Sequence, residues 1–355
     1  METNELFAQK FKSARVKNGL SLQELAVRLD KKISRQALHK YEKGEVLPDS
    51  LMIGLLSDAL NVRPEYFFNP TQVELGHIEF RKLKRLPAKE EKMIIEEARD
   101  YLSRYIELEE ILGINSSFKN PIKNLSPIGS IADIENAASE LRKEWKLGIE
   151  PLVNVYELLE DHHIKIVEIE AGDAYDGMQM IVNESIPVIA INKHTIKKND
   201  RKRFTAMHEL AHLLLSFQKN ITEKQKETFC HQFAAAMLFP AEALIKELGK
   251  KRNRLFMQEL GTLKQQYGIS IQAIVMRCKD IGIITDYYCR QFFFFIKQMG
   301  WKVDEPVEYN GIESSKRFDQ LLFRGLAEEM ISMSKAASLK NQKLAEFRSQ
   351  SLMVG

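Results

Sequence analysis

Residues 204–215 read FTAMHELAHLLL. The stretch is apolar enough for a helix buried on most sides, yet it holds two imidazoles and a carboxylate, His208, Glu209 and His212. Polar groups buried without partners cost several kcal/mol, so the pattern demands something that satisfies them. On a helix, residues four apart share a face one turn apart, so both imidazoles can reach a single ion and the carboxylate next to the first can approach a water there. HExxH on a helix is therefore a zinc-binding signature, with Glu209 placed as general base. The competing explanation is a core helix whose histidines are satisfied by ordinary hydrogen bonds.

A catalytic zinc keeps three protein ligands and one open position. The third ligand is expected downstream, on an element packed over the motif helix. ITEKQKETFCHQFAAAMLFP, residues 221–240, offers Glu223, Glu227 and His231. Glu227 and His231 are four apart and share a face, while Phe229, Phe233 and Ala236 supply a packing surface; Glu223 lies a turn nearer the exposed start.

The two motifs together are similar to the ImmA/IrrE family of zinc-dependent metallopeptidases, whose second motif is E-x-x-A-N-x-F-A-x-x-L-(L/M)-x-P. Laid on that pattern, Glu227 takes the third-ligand position, and Phe233, Ala234 and Pro240 match. Cys230 stands for a small residue, and His231 replaces the usual Asn, which makes it a supporting or substitute ligand. The resemblance covers roughly 130–245, including ENAASELRKEWKLGIEPLVNVYELLEDHHIKIVEI, an Asp176-Gly177 turn and the IAIN strand at 189–192. It implies a zincin-like fold, peptide-bond hydrolysis and Zn2+, with Mn2+ as the other ion such a site accepts. Residues 314–339 are similar to the tail of longer family members.

The N-terminal stretch GLSLQELAVRLDKKISRQALHKYEKGEVLPDSLMIGLLSDALNV, residues 19–62, resembles the Xre/Cro-like helix-turn-helix family. Met1 to Lys40 holds nine Lys or Arg against four Asp or Glu, a local positive surface on a chain whose net charge is only +3. The spacing predicts an amphipathic helix through Leu22, Leu25, Ala26 and Leu29, then a second helix capped by Ser34 that can lie in the major groove. Arg35 and Gln36 are the candidate base readers, since Arg suits guanine and Gln suits adenine. His39 and Lys40 are neighbours to bases or phosphates, and Gln23 stands nearest the position where the family contacts the backbone. Tyr41, Leu51, Leu55 and Leu56 are assigned to the core.

Between these regions, 69–87 reads as a polar connection with the basic run Arg81, Lys82, Lys84 and Arg85, and 88–112 as one helix with a single apolar stripe. That helix is either a spacer packed on the peptidase part or a dimer-forming arm. Ser, Pro and Asn at 116–130 mark a boundary. IKIVEIE, MQMIVN and PVIAIN read as strands separated by Gly172, Gly177 and Pro187, with IAIN as an edge strand for an extended substrate. Asn199-Asp200 is read as the cap of the motif helix, and Lys197, Lys198, Arg201, Lys202 and Arg203 as its solvated start in preference to a surface that steers an acidic substrate. FFFFI at 292–296 is read as a core strand or interaction edge. His162 and His163 are turn residues.

The 355 residues are 44% hydrophobic and 28% charged, ordinary for a globular protein. The three cysteines form no CxxC pair, which argues against a disulfide scaffold and fits a reducing cytoplasm. METNELFAQK lacks a signal-peptide core, and no apolar run approaches the roughly 20 residues a membrane span needs.

The expected fold is α+β, mostly α: a helix-turn-helix bundle (1–70), a helical linker (71–125), a zincin-like metallopeptidase domain with a small β-sheet (126–250) and a helix-rich C-terminal region (251–355). The expected function is a cytoplasmic DNA-binding regulator with zinc-dependent endopeptidase activity. It would bind a double-stranded DNA operator and cleave a partner regulatory protein, a repressor or a toxin-antitoxin partner encoded nearby, with no membrane role and with homodimerisation open. The alternative is a repressor or antitoxin-like regulator whose metallopeptidase-like domain senses or binds a partner without proteolysis.

Overall fold

A computed structural model describes residues 3–69, 75–82, 87–114, 117–172 and 175–351. The chain is α+β and mostly α, and it divides into two units. One comprises 1–76, 84–116 and 316–355; the other comprises 77–83 and 117–315.

The first unit begins with α1 (Thr3–Lys17), α2 (Leu22–Arg28), α3 (Arg35–Glu42), α4 (Ser50–Leu60) and a 3-10 turn (Pro64–Phe68). Ser21 and Glu24 form a capping box at α2, and the Ser34 and Asp49 side chains accept the Ala37 and Met52 N–H groups. Each cap satisfies a donor that the helix start would otherwise leave open. Phe7, Phe11, Leu25, Leu38, Leu56 and Phe67 make the core. Leu51 does not belong to it: it is 75% exposed at the first turn of α4, while Leu56, five residues on, points inward.

α5 (Ala88–Ile111) runs as one continuous helix. Its apolar stripe is covered from within the same unit. Lys17 on α1 pairs with Asp100 at 2.6 Å, and Tyr105 and Leu108 join a core with α14 (Arg317–Ala327) and α15 (Met333–Leu339). Tyr105 and Phe318 meet edge to face at 5.4 Å, and Lys335 pairs with Glu107. α16 (Leu344–Gln350) closes that core through Phe347. Along that stripe Ile94, Ala98, Leu102, Tyr105 and Ile106 are buried.

The second unit holds a four-stranded sheet in the order β1-β3-β4-β2. The strands are β1 (Leu75–Lys82), β2 (Lys165–Ile169), β3 (Tyr175–Val182) and β4 (Ile186–Asn192). β4 runs antiparallel to β3, with Gly177 opposite Ile191, and parallel to β2, with Ile166 opposite Ile189. IAIN is therefore an inner strand and not an edge. The near-continuous burial of β4 fits a strand paired on both sides and covered on both faces. β1 falls where a polar connection was expected; the rest of the basic run, Lys84 and Arg85, lies outside the described residues.

Helices α6 (Ile131–Glu144), α7 (Val155–Asp161), α8 (Asn199–Leu214) and α9 (Glu223–Leu238) pack around the sheet, followed by α10 (Ala241–Leu248), α11 (Met257–Tyr267), α12 (Ile271–Asp280) and α13 (Asp286–Gln298). FFFFI lies inside α13. Only Phe292 and Ile296, four apart, are buried there, while Phe294 is 64% exposed, so the run obeys the helical period. Gly177 sits within β3 and makes no turn. Among the described residues, no helix is long and apolar enough to cross a membrane.

Candidate metal centre

The HExxH helix α8 starts without the expected cap: Lys198 precedes it and makes no side-chain cap bond. Asp200 instead meets Lys264 at 2.8 Å, with both side chains buried. The basic start is solvated only in part: Lys197 and Arg201 are exposed. Lys202 reaches Glu168 at 2.6 Å, Arg201 reaches Asp176 at 2.7 Å, and Arg203 is fully buried. Arg203 meets the buried Glu313 carboxylate at 3.1 Å and donates to the Leu152 carbonyl and the Tyr309 hydroxyl. The other Glu313 oxygen accepts the Val155 N–H at 2.8 Å, at the start of α7. These ties fix the direction in which α8 carries its ligands past the sheet.

α9 packs between α8 and α6. Ala234, Ala235 and Ala236 are buried, as is Phe233. Thr222 and Gln225 form a capping box that fixes where α9 starts and so the angular position of Glu227, one turn in.

His208, His212 and Glu227 converge, with one ligand atom from each lying within 4.8 Å of the others. His208 Nε2 and His212 Nε2 are 3.0 Å apart. The Glu227 oxygens lie 3.4 Å from His208 Nε2 and 3.4 Å from His212 Nε2. Donors at about 2.0–2.1 Å from a tetrahedral ion are separated by about 1.63 times that length, roughly 3.3–3.4 Å. The two imidazole nitrogens lie near that spacing and each Glu227 oxygen stands 3.4 Å from one of them, a donor set that suits a divalent ion.

The electrostatics say the same. Hydrogen bonds with His208 and His212 hold the Glu227 carboxyl far below the usual carboxylate range. Burial alone would lower His212, but hydrogen bonds with Cys230 and Glu227 and the charge of Glu209 push it up to about 10. The cluster therefore favours a positive charge at its centre. It is open on one side, since the Glu227 side chain is 43% exposed while His208 is buried.

Glu209 is buried beside the cluster. It lies against Gly177 of β3, where a Cβ would stand 3.1 Å from Glu209 Oε1 and 2.8 Å from Thr205 Cγ2. The glycine leaves the room that the carboxylate occupies. Cys230 Sγ lies 3.7 Å from His212 Nδ1. An Nδ1–H donated to that sulfur selects the tautomer that leaves Nε2 free to coordinate. Burial raises the thiol's pKa, so it remains a thiol. The His231 ring lies tilted against the His208 ring, centroids 4.4 Å apart, and His231 lies outside the three-residue cluster, as does Glu223. His162 stacks on Trp145 at 4.1 Å, away from this centre.

Sequence reasoning missed Gly177, Cys230 and Arg203 as parts of this arrangement. By sequence alone Gly177 is a spacer between strands, Cys230 a small filler and Arg203 a surface charge. Only tertiary contacts reveal these roles.

On the helix-turn-helix, Arg35, Gln36, His39 and Lys40 are all exposed along α3, and Gln23 is exposed on α2. Leu38 anchors α3 to the core from the opposite face. Asp30 and Lys31 adopt positive φ, 53° and 58°, which closes the turn between the two helices.

Residues 159–279 match the family model of the IrrE N-terminal-like domain of the peptidase M78 family. Residues 11–67 match the helix-turn-helix family. The chain thus joins an N-terminal helix-turn-helix to a metallopeptidase-like domain. No curated protein matches the chain.

Proposed function

We propose that the chain is a DNA-binding regulator that uses a zinc-dependent endopeptidase site to cleave a partner regulatory protein. The observation that carries this reading is the convergence of His208, His212 and Glu227 at 3.0–3.4 Å with the buried Glu209 carboxylate beside them. The three side chains would hold the ion, which supplies Lewis acidity and acidifies water at neutral pH. Glu209 takes the proton of the attacking water and hands it to the leaving amine. Gly177 leaves the room that carboxylate occupies, and Cys230 orients His212. Arg35 and Gln36 read bases, while Lys40, His39 and Gln23 serve as base or backbone neighbours.

The full chain incubated with the product of each adjacent gene, and with casein as a general probe, tests the reading. Cleavage should occur with zinc and disappear with chelator or in Glu209→Gln. A chain that binds operator DNA and metal but cuts none of these proteins would instead be a sensor that works without proteolysis.

A further inference from the structure

Resting on the peptidase reading above, we propose that the outer edge of β3 is the binding site for an extended peptide segment, and that the chain fills this site with its own residues 75–82. A sheet edge presents unpaired N–H and C=O groups to which an incoming strand can add, gaining main-chain hydrogen bonds along its length. Two edges would exist without β1. One is β2, separated by β4 from the strand that meets Glu209. The other is β3, whose Gly177 lies against Glu209. The edge beside the catalytic carboxylate is therefore β3, and β1 is the strand hydrogen-bonded there.

The chain path singles out the same segment. Residues 1–76 and 84–116 belong to the helix-turn-helix unit, and only 77–83 of this whole stretch is grouped with the peptidase unit. By sequence the strand, LGHIEFRK, alternates Ile78 and Phe80 with His77, Glu79 and Arg81 and contains no proline. An extended substrate segment of the same alternation is the class of ligand this edge takes. Because β1 is tethered on both sides, it competes at an effective concentration on the order of millimolar, and a substrate strand enters by exchange with it. The site is consequently closed to short, weakly binding peptides and open to a partner that also docks elsewhere.

The test uses the full chain carrying Glu209→Gln, so that nothing is cut, and a fluorescein-labelled peptide of sequence LGHIEFRK read by fluorescence anisotropy. The parent is compared with a chain that also carries Ile78→Pro and Glu79→Pro. Neighbouring strand residues point their N–H groups to opposite sides, so this pair removes a donor towards β3 in either register. A second variant replaces 75–82 by a Gly-Ser segment of equal length. At least tenfold tighter peptide binding in either variant, with metal content unchanged, is the expected result. Equal binding to parent and variants, no binding to any of them, or loss of the folded metal site in both variants would overturn the inference, since an exchangeable strand must be removable. The binding result does not depend on cleavage, so failure of the peptidase reading would show separately, as absent proteolysis in the Glu209 chain.

Discussion

Gly177→Ala should damage the site without touching a ligand. The added Cβ would stand 2.8 Å from Thr205 Cγ2, 3.1 Å from Glu209 Oε1 and 3.2 Å from Glu209 Cγ. The first distance forces a shift, and Thr205 is itself buried on α8. Overpacking of this kind costs about 1–3 kcal/mol. In a unit of this size each kcal/mol lowers the melting temperature by about 2–4 °C, so a fall of roughly 2–12 °C is expected by calorimetry. Thr205→Ser removes the methyl involved in the closest contact. Adding it to Gly177→Ala should recover much of the lost stability, yet the Glu209 contacts remain and cleavage should stay reduced. A displacement approaching 1 Å at a catalytic group costs about a hundredfold in rate. An unchanged melting temperature in Gly177→Ala, or a double variant no more stable than the single one, would refute the packing argument.

Cys230→Ala should weaken zinc affinity by about 10–100-fold in competition with a chromophoric chelator, because His212 loses the partner that fixes its tautomer. Zinc must displace a proton from the metal-free cluster, since His212 there is pushed up to about 10; affinity should therefore rise with pH between 6 and 9, by up to about tenfold per unit. The sign for stability is opposite. The raised His212 stabilises the metal-free fold fully below its unfolded value, near 6.5, and loses that contribution as pH climbs towards 10, so melting of the chelated protein at pH 6 and pH 9 checks it. Glu313→Ala leaves the Arg203 guanidinium buried without its carboxylate and should cost about 3–5 kcal/mol in denaturant unfolding. Arg35→Ala should lose about 1–3 kcal/mol of discrimination at one base pair, whereas Lys40→Ala should weaken all duplexes alike and reduce the salt slope by about one.

The helix-turn-helix was legible because its signals are local. Ser21, Ser34 and Asp49 cap the helices that follow them, and the apolar residues recur at helical spacing. The two halves of the metal cluster were legible for the same reason: His208 and His212 share one helix, and Glu227 lies at the motif position of the next. The sheet order was not. IAIN looked like an edge because short strands all carry similar apolar runs, although burial on both faces is what its composition implies. FFFFI is ambiguous by sequence because four aromatic residues in a row satisfy either period, and the local signal that decides for a helix is Thr285, which caps α13. The basic start of α8 looks solvated by sequence because the partners of Arg201, Lys202 and Arg203 are distant in the chain, such as Glu313 for Arg203. Leu51 shows the converse error, since a leucine at a helix's first turn can face water.

Metal content is the most direct test of the central claim. The full chain, Glu227→Ala, His231→Ala and Glu209→Gln would each be purified, dialysed against limiting zinc and measured by inductively coupled plasma mass spectrometry. With His208, His212 and Glu227 as the ligands, the full chain, His231→Ala and Glu209→Gln should each hold about one ion per chain, and Glu227→Ala close to none. Full occupancy in Glu227→Ala together with loss in His231→Ala would contradict the account and move the third ligand to His231.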